Sequence, residues 1–158
     1  TRVRSSAASD VYKRQQLTNN KLLDLLLSKY SALCNNNNIK LNIEVRTANL
    51  DHISDTDLSM IINNLMDNAF ESAKKSKEKV IDFSLIRVNN FDILKVSNSC
   101  DTPPIDNAHK LLTTKKSKAE HGLGTRIIEK YAKKNNAEYE WLYENDKKLF
   151  ITTIIFKH

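Results

Sequence analysis

One helical stretch constrains this chain more than any other, because its polar side is built from amides. Asp57–Ala73 reads Asp-Leu-Ser-Met-Ile-Ile-Asn-Asn-Leu-Met-Asp-Asn-Ala-Phe-Glu-Ser-Ala. Leu58, Ile62, Leu65, Met66, Ala69 and Ala73 recur at the spacing of an amphipathic helix with one buried face. Ser54, with Asp57 three residues on, is placed to form a capping box at its start. At about 100° per residue, Asn64, Asn68 and Glu71 fall on one narrow stripe of the opposite side. Asparagine is a mediocre helix former, since its amide competes for backbone hydrogen bonds. A merely solvated face is better served by Lys, Glu or Gln. Two readings follow: a polar surface stripe, or side chains that point into a polar ligand site.

The 158 residues are enough for one domain with a real core. No apolar run approaches the roughly 20 residues of a spanning helix, and no signal-peptide pattern opens the chain. Cys34 and Cys100 lack metal-ligand spacing, so the expectation is free thiols in a reducing cytoplasm. A net charge of +6 invites a nucleic-acid reading. Half of it, however, comes from Arg2, Arg4, Lys13 and Arg14 against Asp10. Ser5–Gln15 resembles the in-frame translation of a transposase adapter used in sequencing libraries, a scar to be excluded from fold reasoning. Residues 1–15 are therefore expected to be a non-native, disordered leader, with the authentic sequence starting near Gln16 inside a longer gene. The remaining charge, without aromatic–basic interleaving, does not point to nucleic acid.

Along the chain, Leu22, Leu26, Tyr30 and Leu33 predict a helix over Asn20–Leu33, which the four asparagines Asn35–Asn38 end. Ile39–Arg46 alternates apolar and polar residues, the pattern of a half-buried strand. After a loop, the amide-striped helix is expected over Asp55–Ser76. Two strands follow, Lys79–Val88 and Phe91–Ser97, split by Asn89-Asn90, which tolerates the positive φ of a tight hairpin. Asn98–Glu120 is long, polar and rich in Lys and Thr, with a short helix possible around Ile105–Leu112. A loop of that length in a compact domain is usually functional or mobile. A helix is expected over Arg126–Asn135, then strands over Ala137–Tyr143 and Leu149–Phe156. The order α-β-α-β-β-loop-α-β-β predicts an α+β, two-layer sandwich with a mixed sheet and helices on one face.

The chain's only two glycines stand together in His121-Gly122-Leu123-Gly124-Thr125. Placed just before a helix, they would let backbone approach a ligand closely, with free N–H groups and the helix dipole favouring an anion. Thr125 suits the N-cap. The motif does not extend to G-x-G-x-x-G, since Ile127 holds the last position, and there is no Walker A loop. A plain helix-entry turn is the alternative.

In combination, these pieces resemble the GHKL superfamily of ATP-binding domains, shared by sensor histidine kinases, gyrase-type topoisomerases, heat-shock chaperone ATPases and mismatch-repair ATPases. Asn64-Leu65-Met66-Asp67-Asn68-Ala69 resembles its N box, Asn98-Ser99-Cys100 lies where its first glycine box does, and His121–Thr125 resembles the second. Asp67–Ala73, Val96–Cys100, Thr113-Thr114-Lys115-Lys116 and His-Gly-Leu-Gly further resemble peptide-pheromone receptor kinases of the Agr/Com quorum-sensing type. The resemblance spans about Asn19 to Phe156. It implies a Bergerat-type fold with a mobile lid over 98–120, and ATP and Mg²⁺ as cofactors.

The resemblance also implies roles. Asn68 would supply the metal's protein ligand, consistent with the oxygen preference of Mg²⁺. Asn64 stands where gyrase-like members carry a glutamate that activates water; an amide cannot act as a base, so hydrolysis should be poor. Glu71 stands where many kinases have a basic residue near the phosphates, and either a catalytic or a structural part is open to it. Asn98 replaces the aspartate that accepts from the adenine amino group, and its carbonyl oxygen can still accept. Ser99 would flank it, and Cys100 replaces a glycine. Lys115 is the lid lysine expected at the γ-phosphate, while Lys110, Lys116 and Lys118 read as a solvated basic loop. His121 would contact phosphate or brace the glycine turn, and Gly122, Leu123, Gly124 and Thr125 would line the nucleotide.

The implied function is the ATP-binding catalytic domain of a sensor histidine kinase. None of His52, His109, His121 and His158 sits in a phosphoacceptor context. Residues 16–38 are accordingly read as a helix linking to a dimerisation hairpin upstream, and 39–158 as the GHKL domain. The partners implied are the histidine-bearing dimerisation domain and a response regulator; the parent would be a membrane receptor with this domain on its cytoplasmic side. The competing readings are a degenerate GHKL module kept for protein–protein contact, and a GHKL hydrolase, which Asn64 disfavours.

Overall fold

The computed structural model describes residues 18–104 and 118–158, with only the backbone of 118–124. Among the described residues, three helices, α1 (Lys21–Asn36), α2 (Asp55–Lys75) and α3 (Lys118–Lys134), are interspersed with strands β1 (Lys40–Arg46), β2 (Val80–Val88), β3 (Phe91–Ser99), β4 (Ala137–Glu144) and β5 (Leu149–Lys157). The strands form one sheet in the order β1-β2-β3-β5-β4. β1 and β2 are parallel and joined through α2, as a parallel pair requires a crossover. The other neighbours are antiparallel. The helices share one face: α1 packs on β1, α2 on β2 and β3, and α3 on β4. The expected mixed-sheet α+β sandwich is the observed fold.

Strand period fixes the layers. Ile81, Phe83 and Leu85 of β2, Leu94 and Val96 of β3, and Ile154 and Phe156 of β5 are buried beneath the helices. Asp82 and Lys95, on the opposite face, are exposed. α1 belongs to the same core, contributing Leu23, Leu26, Leu27, Tyr30 and Cys34. Burial drives the Cys34 thiol pKa up to about 11, so it behaves as a small apolar group rather than a nucleophile.

Local signals set the element ends. Asn20 caps α1 by accepting from Leu23 N–H at 2.9 Å, and α1 runs to Asn36, three residues beyond the expected end. Positive φ falls on Asn38 after α1, on Asn89 in the β2–β3 hairpin and on Asn136 between α3 and β4. Asparagine is among the few residues that enter this region readily. Ser54 caps α2, its Oγ accepting from Asp57 N–H at 3.2 Å. α2 is held by packing rather than propensity. Ile61, Ile62, Leu65 and Met66 are at most 4% exposed. Burying each contributes about 1.5–3 kcal/mol, against a propensity deficit of roughly 0.7 kcal/mol per asparagine at most.

Two expectations are corrected. β3 extends through Ser99, so Asn98 and Ser99 belong to the sheet rather than to the loop. They pair with Phe150 and Leu149 of β5, which carries the ladder two residues further than the apolar pattern alone. α3 begins at Lys118, so Gly122-Leu123-Gly124-Thr125 lies within the helix and Thr125 is not its N-cap. Two interior glycines cost about 2 kcal/mol relative to alanine. The helix tolerates them while Ile128 and Ala132 anchor it in the core at 1% and 0% exposure.

Candidate functional site

The amide stripe of α2 runs toward the end of β3. Ser72, one turn beyond Asn68 on the same face, donates from Oγ to the Ser99 carbonyl at 3.4 Å. At the helix end, Ser76 Oγ and Ser99 Oγ lie 2.6 Å apart. Both serines are buried, and each hydroxyl also has a carbonyl within reach: Ala73 at 2.7 Å from Ser76 Oγ and Val80 at 3.3 Å from Ser99 Oγ, so either serine can donate to the other. Ser99 Oγ accepts from Val80 N–H at 3.0 Å. Serine hydroxyls thus join α2, β2 and β3, with Asn68 one turn before Ser72 on α2 and Asn64 one turn before that.

Each sequence-derived site residue has a distinct setting. Asn64 is half-buried, and its Nδ2 donates to the Met60 carbonyl one turn back at 2.6 Å, a bond within its own helix. Asn68 is half-buried and, among the described residues, has no hydrogen-bond partner. Its amide oxygen is a hard, neutral donor of the kind Mg²⁺ accepts. Glu71 is half-buried on the same stripe. Asn98 is 3% exposed and donates from Nδ2 to the Ser99 carbonyl at 3.0 Å, which orients its amide and keeps Oδ1 as the acceptor. Ser99 is 2% exposed, its hydroxyl engaged with Ser76 and Val80 and its carbonyl accepting from Asn98 Nδ2.

Thr125 is half-buried inside α3. The side chains of His121 and Leu123, like Gly122 and Gly124 beyond their helical backbone, lie outside the described residues, as does Lys115. Among the described residues no group of three or more His, Cys, Asp or Glu side chains is arranged to hold a metal, and no helix is long and apolar enough to cross a membrane.

The structure adds residues that the sequence did not single out. Phe150 sits across from Asn98 in the β3–β5 ladder, on the same sheet face, and stacks on Trp141 at 5.7 Å between ring centroids. Tyr143 Oη donates to the Cys100 carbonyl at 2.7 Å. Asp101 accepts from Lys77 N–H at 2.8 Å, fastening the chain after β3 to the end of α2. Strand alternation placed Trp141 and Tyr143 on a common face, but their nearness to Asn98 depends on the β4–β5–β3 register.

On the far side of α2, Tyr30 is fully buried and donates from Oη to Asp67 Oδ1 at 2.7 Å, with Asn63 Oδ1 3.0 Å from the same hydroxyl. Burial first, then the Asp67 carboxylate, pushes the phenol far above its usual range, so it remains a donor. Asn63 and Asp67 thereby bind α1, leaving Asn64 and Asn68 on the other flank.

No curated protein matches the chain in sequence. Among solved structures, a nucleotide-free form of the catalytic domain of histidine kinase ThkA matches at a TM-score of 0.66 and 21% identity, covering 87% of this chain and 92% of that one. A mycobacterial sensor histidine kinase, MprB, matches at 0.63 and 14%, covering 87% and 93%. The cytoplasmic segment of histidine kinase QseC matches at 0.57 and 17%, covering 87% and 74%. These likenesses share the sheet and its helical layer. The GHKL domain profile matches residues 53–157, from the loop before α2 to the last residue of β5, and the chain belongs to the GHKL domain family.

Proposed function

We propose that this chain is the ATP-binding catalytic domain of a sensor histidine kinase. It would donate the γ-phosphoryl group of ATP to a histidine on a dimerisation helix, from which a response regulator aspartate takes it. The carrying observation is the Ser72–Ser99 contact, which joins α2 one turn beyond Asn68 to the residue next to Asn98. It supports a site with a metal–phosphate end on α2 and a base end on β3. Asn68 and Asn98 fit the two ends: one offers a neutral oxygen without a partner among the described residues, the other an oriented, buried amide.

Asn68 would hold Mg²⁺ through its amide oxygen, and the ion would supply charge neutralisation for the phosphates. The protein's own contributions are positioning and electrostatics, the usual means of phosphoryl transfer. Asn98 Oδ1 accepts from the adenine amino group, and Phe150 offers the ring an apolar flank. Asn64, an amide engaged with Met60, cannot take a proton from water, which favours transfer to an acceptor over hydrolysis. Glu71, Lys115 and the His121–Thr125 segment complete the proposed nucleotide-binding set, with Ser99 behind it as the residue whose carbonyl holds the Asn98 amide. In this reading the parent is a membrane receptor of the peptide-pheromone type, with this domain in the cytoplasm, and α1 leads toward the dimerisation hairpin.

Calorimetric titration with Mg·ATP tests the proposal. Micromolar to millimolar binding by the intact protein, lost in Asn68→Ala and kept in Lys40→Ala, is the expected result. No binding by the intact protein would reject the kinase reading in favour of a GHKL module kept for protein contact. Supplying an acceptor hairpin and labelled ATP then tests phosphoryl transfer.

A further inference from the structure

We infer that Tyr143 is a positioning residue for adenine recognition, holding the strand end on which the Asn98 amide depends. This rests on the kinase reading above. The peptide unit joining Ser99 to Cys100 is held at both of its polar groups. Its carbonyl accepts from Asn98 Nδ2 at 3.0 Å and from Ser72 Oγ at 3.4 Å. Its N–H donates to the Lys148 carbonyl in the β4–β5 turn at 2.8 Å. The plane of this one peptide therefore sets the direction of the Asn98 side chain.

The next carbonyl along, that of Cys100, accepts from Tyr143 Oη at 2.7 Å. β3 leaves the sheet here: the last β3–β5 register pair is Ser99 with Leu149. Cys100 N–H still reaches the Lys148 carbonyl, but the Cys100 carbonyl lies past the paired strand, and the tyrosine hydroxyl takes the place of a ladder partner there. The β4–β5 hairpin thus grips Cys100 by both of its backbone polar groups. Burial first, then the acidic groups of Cys100 and Asp101, raises the Tyr143 pKa, so the hydroxyl stays protonated as a donor at neutral pH. A phenylalanine keeps the ring and removes only this bond.

Tyr143→Phe is tested in two ways. In the nucleotide-free protein, amide hydrogen exchange at Cys100 should quicken about 5–10-fold, the worth of one ordinary hydrogen bond. In titrations, affinity for Mg·ATP should fall by a similar factor, while affinity for Mg·ITP, which lacks the 6-amino group, should change less than about two-fold. Shrinkage of the ATP-over-ITP preference is the signature of positioning. An unchanged preference, or an equal loss for both nucleotides accompanied by a lower Tm, overturns the inference and leaves the kinase reading intact. Unchanged exchange at Cys100 overturns it as well. Failure of the unaltered protein to bind either nucleotide overturns both.

Discussion

Asp57, in the first turn of α2, reaches across to the end of α3, accepting from Lys134 Nζ at 2.9 Å and from Asn135 Nδ2 at 3.1 Å. The capping box read from Ser54 and Asp57 is thus half formed. Ser54 caps the Asp57 N–H, while the Asp57 carboxylate turns outward to clamp a second helix. Because Lys134 is the stronger influence, the Asp57 pKa is lowered against the opposing effect of burial.

A lowered folded pKa contributes stability above the ordinary carboxylate range, and that stability is lost as pH falls through the folded value. Asp57→Ala should therefore lower Tm at neutral pH by several degrees and flatten the decline of Tm below about pH 4. Thermal unfolding between pH 3 and 7 checks this. A variant that keeps the full acid decline would show that the clamp is not formed in solution.

Tyr30 gives a prediction about α1. Its hydroxyl donates to Asp67 from a fully buried ring, with the Asn63 amide oxygen alongside. Asp67 itself is exposed, so water can replace the lost donor. Tyr30→Phe should cost about 1–2 kcal/mol rather than the larger penalty of a stranded buried charge. Urea unfolding measures it. A change above about 3 kcal/mol would mean that Asp67 relies on the phenol as its sole partner.

A second titrating cluster lies at the opposite end of the sheet. Asp92 is fully buried and takes a bidentate pair from Arg87 at 2.8 Å, with His158 against the same carboxylate and Asn49 N–H at 3.4 Å. Burial works to raise the Asp92 pKa, but the Arg87 and His158 bonds outweigh it. His52 stacks edge-on against His158 at 4.7 Å, and burial, followed by His158, lowers its pKa. A histidine with a lowered folded pKa contributes stability that declines as pH falls below its ordinary value of about 6.5, where the unfolded chain takes up the proton first. His52→Asn should flatten the loss of Tm between about pH 6.5 and 5. An unaltered slope would assign that loss to other groups.

The layers were legible because period two and period 3.6 report which face is buried; β1 alternates cleanly, whereas β5, with Ile151 and Thr152 both buried, reads only as an apolar run. The parallel pairing of β1 with β2 and the placing of β5 between β3 and β4 were not legible. Periodicity names a face but no neighbour, and that choice is made by packing across α2. Asn89 was readable as a hairpin turn through its φ of 54°. The start of α3 was misread because two glycines look like punctuation, while the burial of Ile128 and Ala132 outweighs their cost. Asn64 and Asn68 were legible as amides on the wrong side of a helix. Tyr143 was not, because its contact with Cys100 spans 43 residues and requires three strands in register.

Ser99 separates what the motif suggested from what the fold does with it. By motif it would touch the nucleotide. In the structure its hydroxyl links Ser76 to Val80 N–H, and it is 2% exposed. Ser99→Ala leaves two buried partners short of a bond and should cost about 1–3 kcal/mol of stability. The loss at the site would then be indirect, so nucleotide affinity measured well below the lowered Tm should change little for ATP and ITP alike. Ser99→Thr keeps the hydroxyl and should recover part of the stability. A Ser99→Ala protein that melts like the unaltered one yet has lost ATP would place the hydroxyl on the ligand instead.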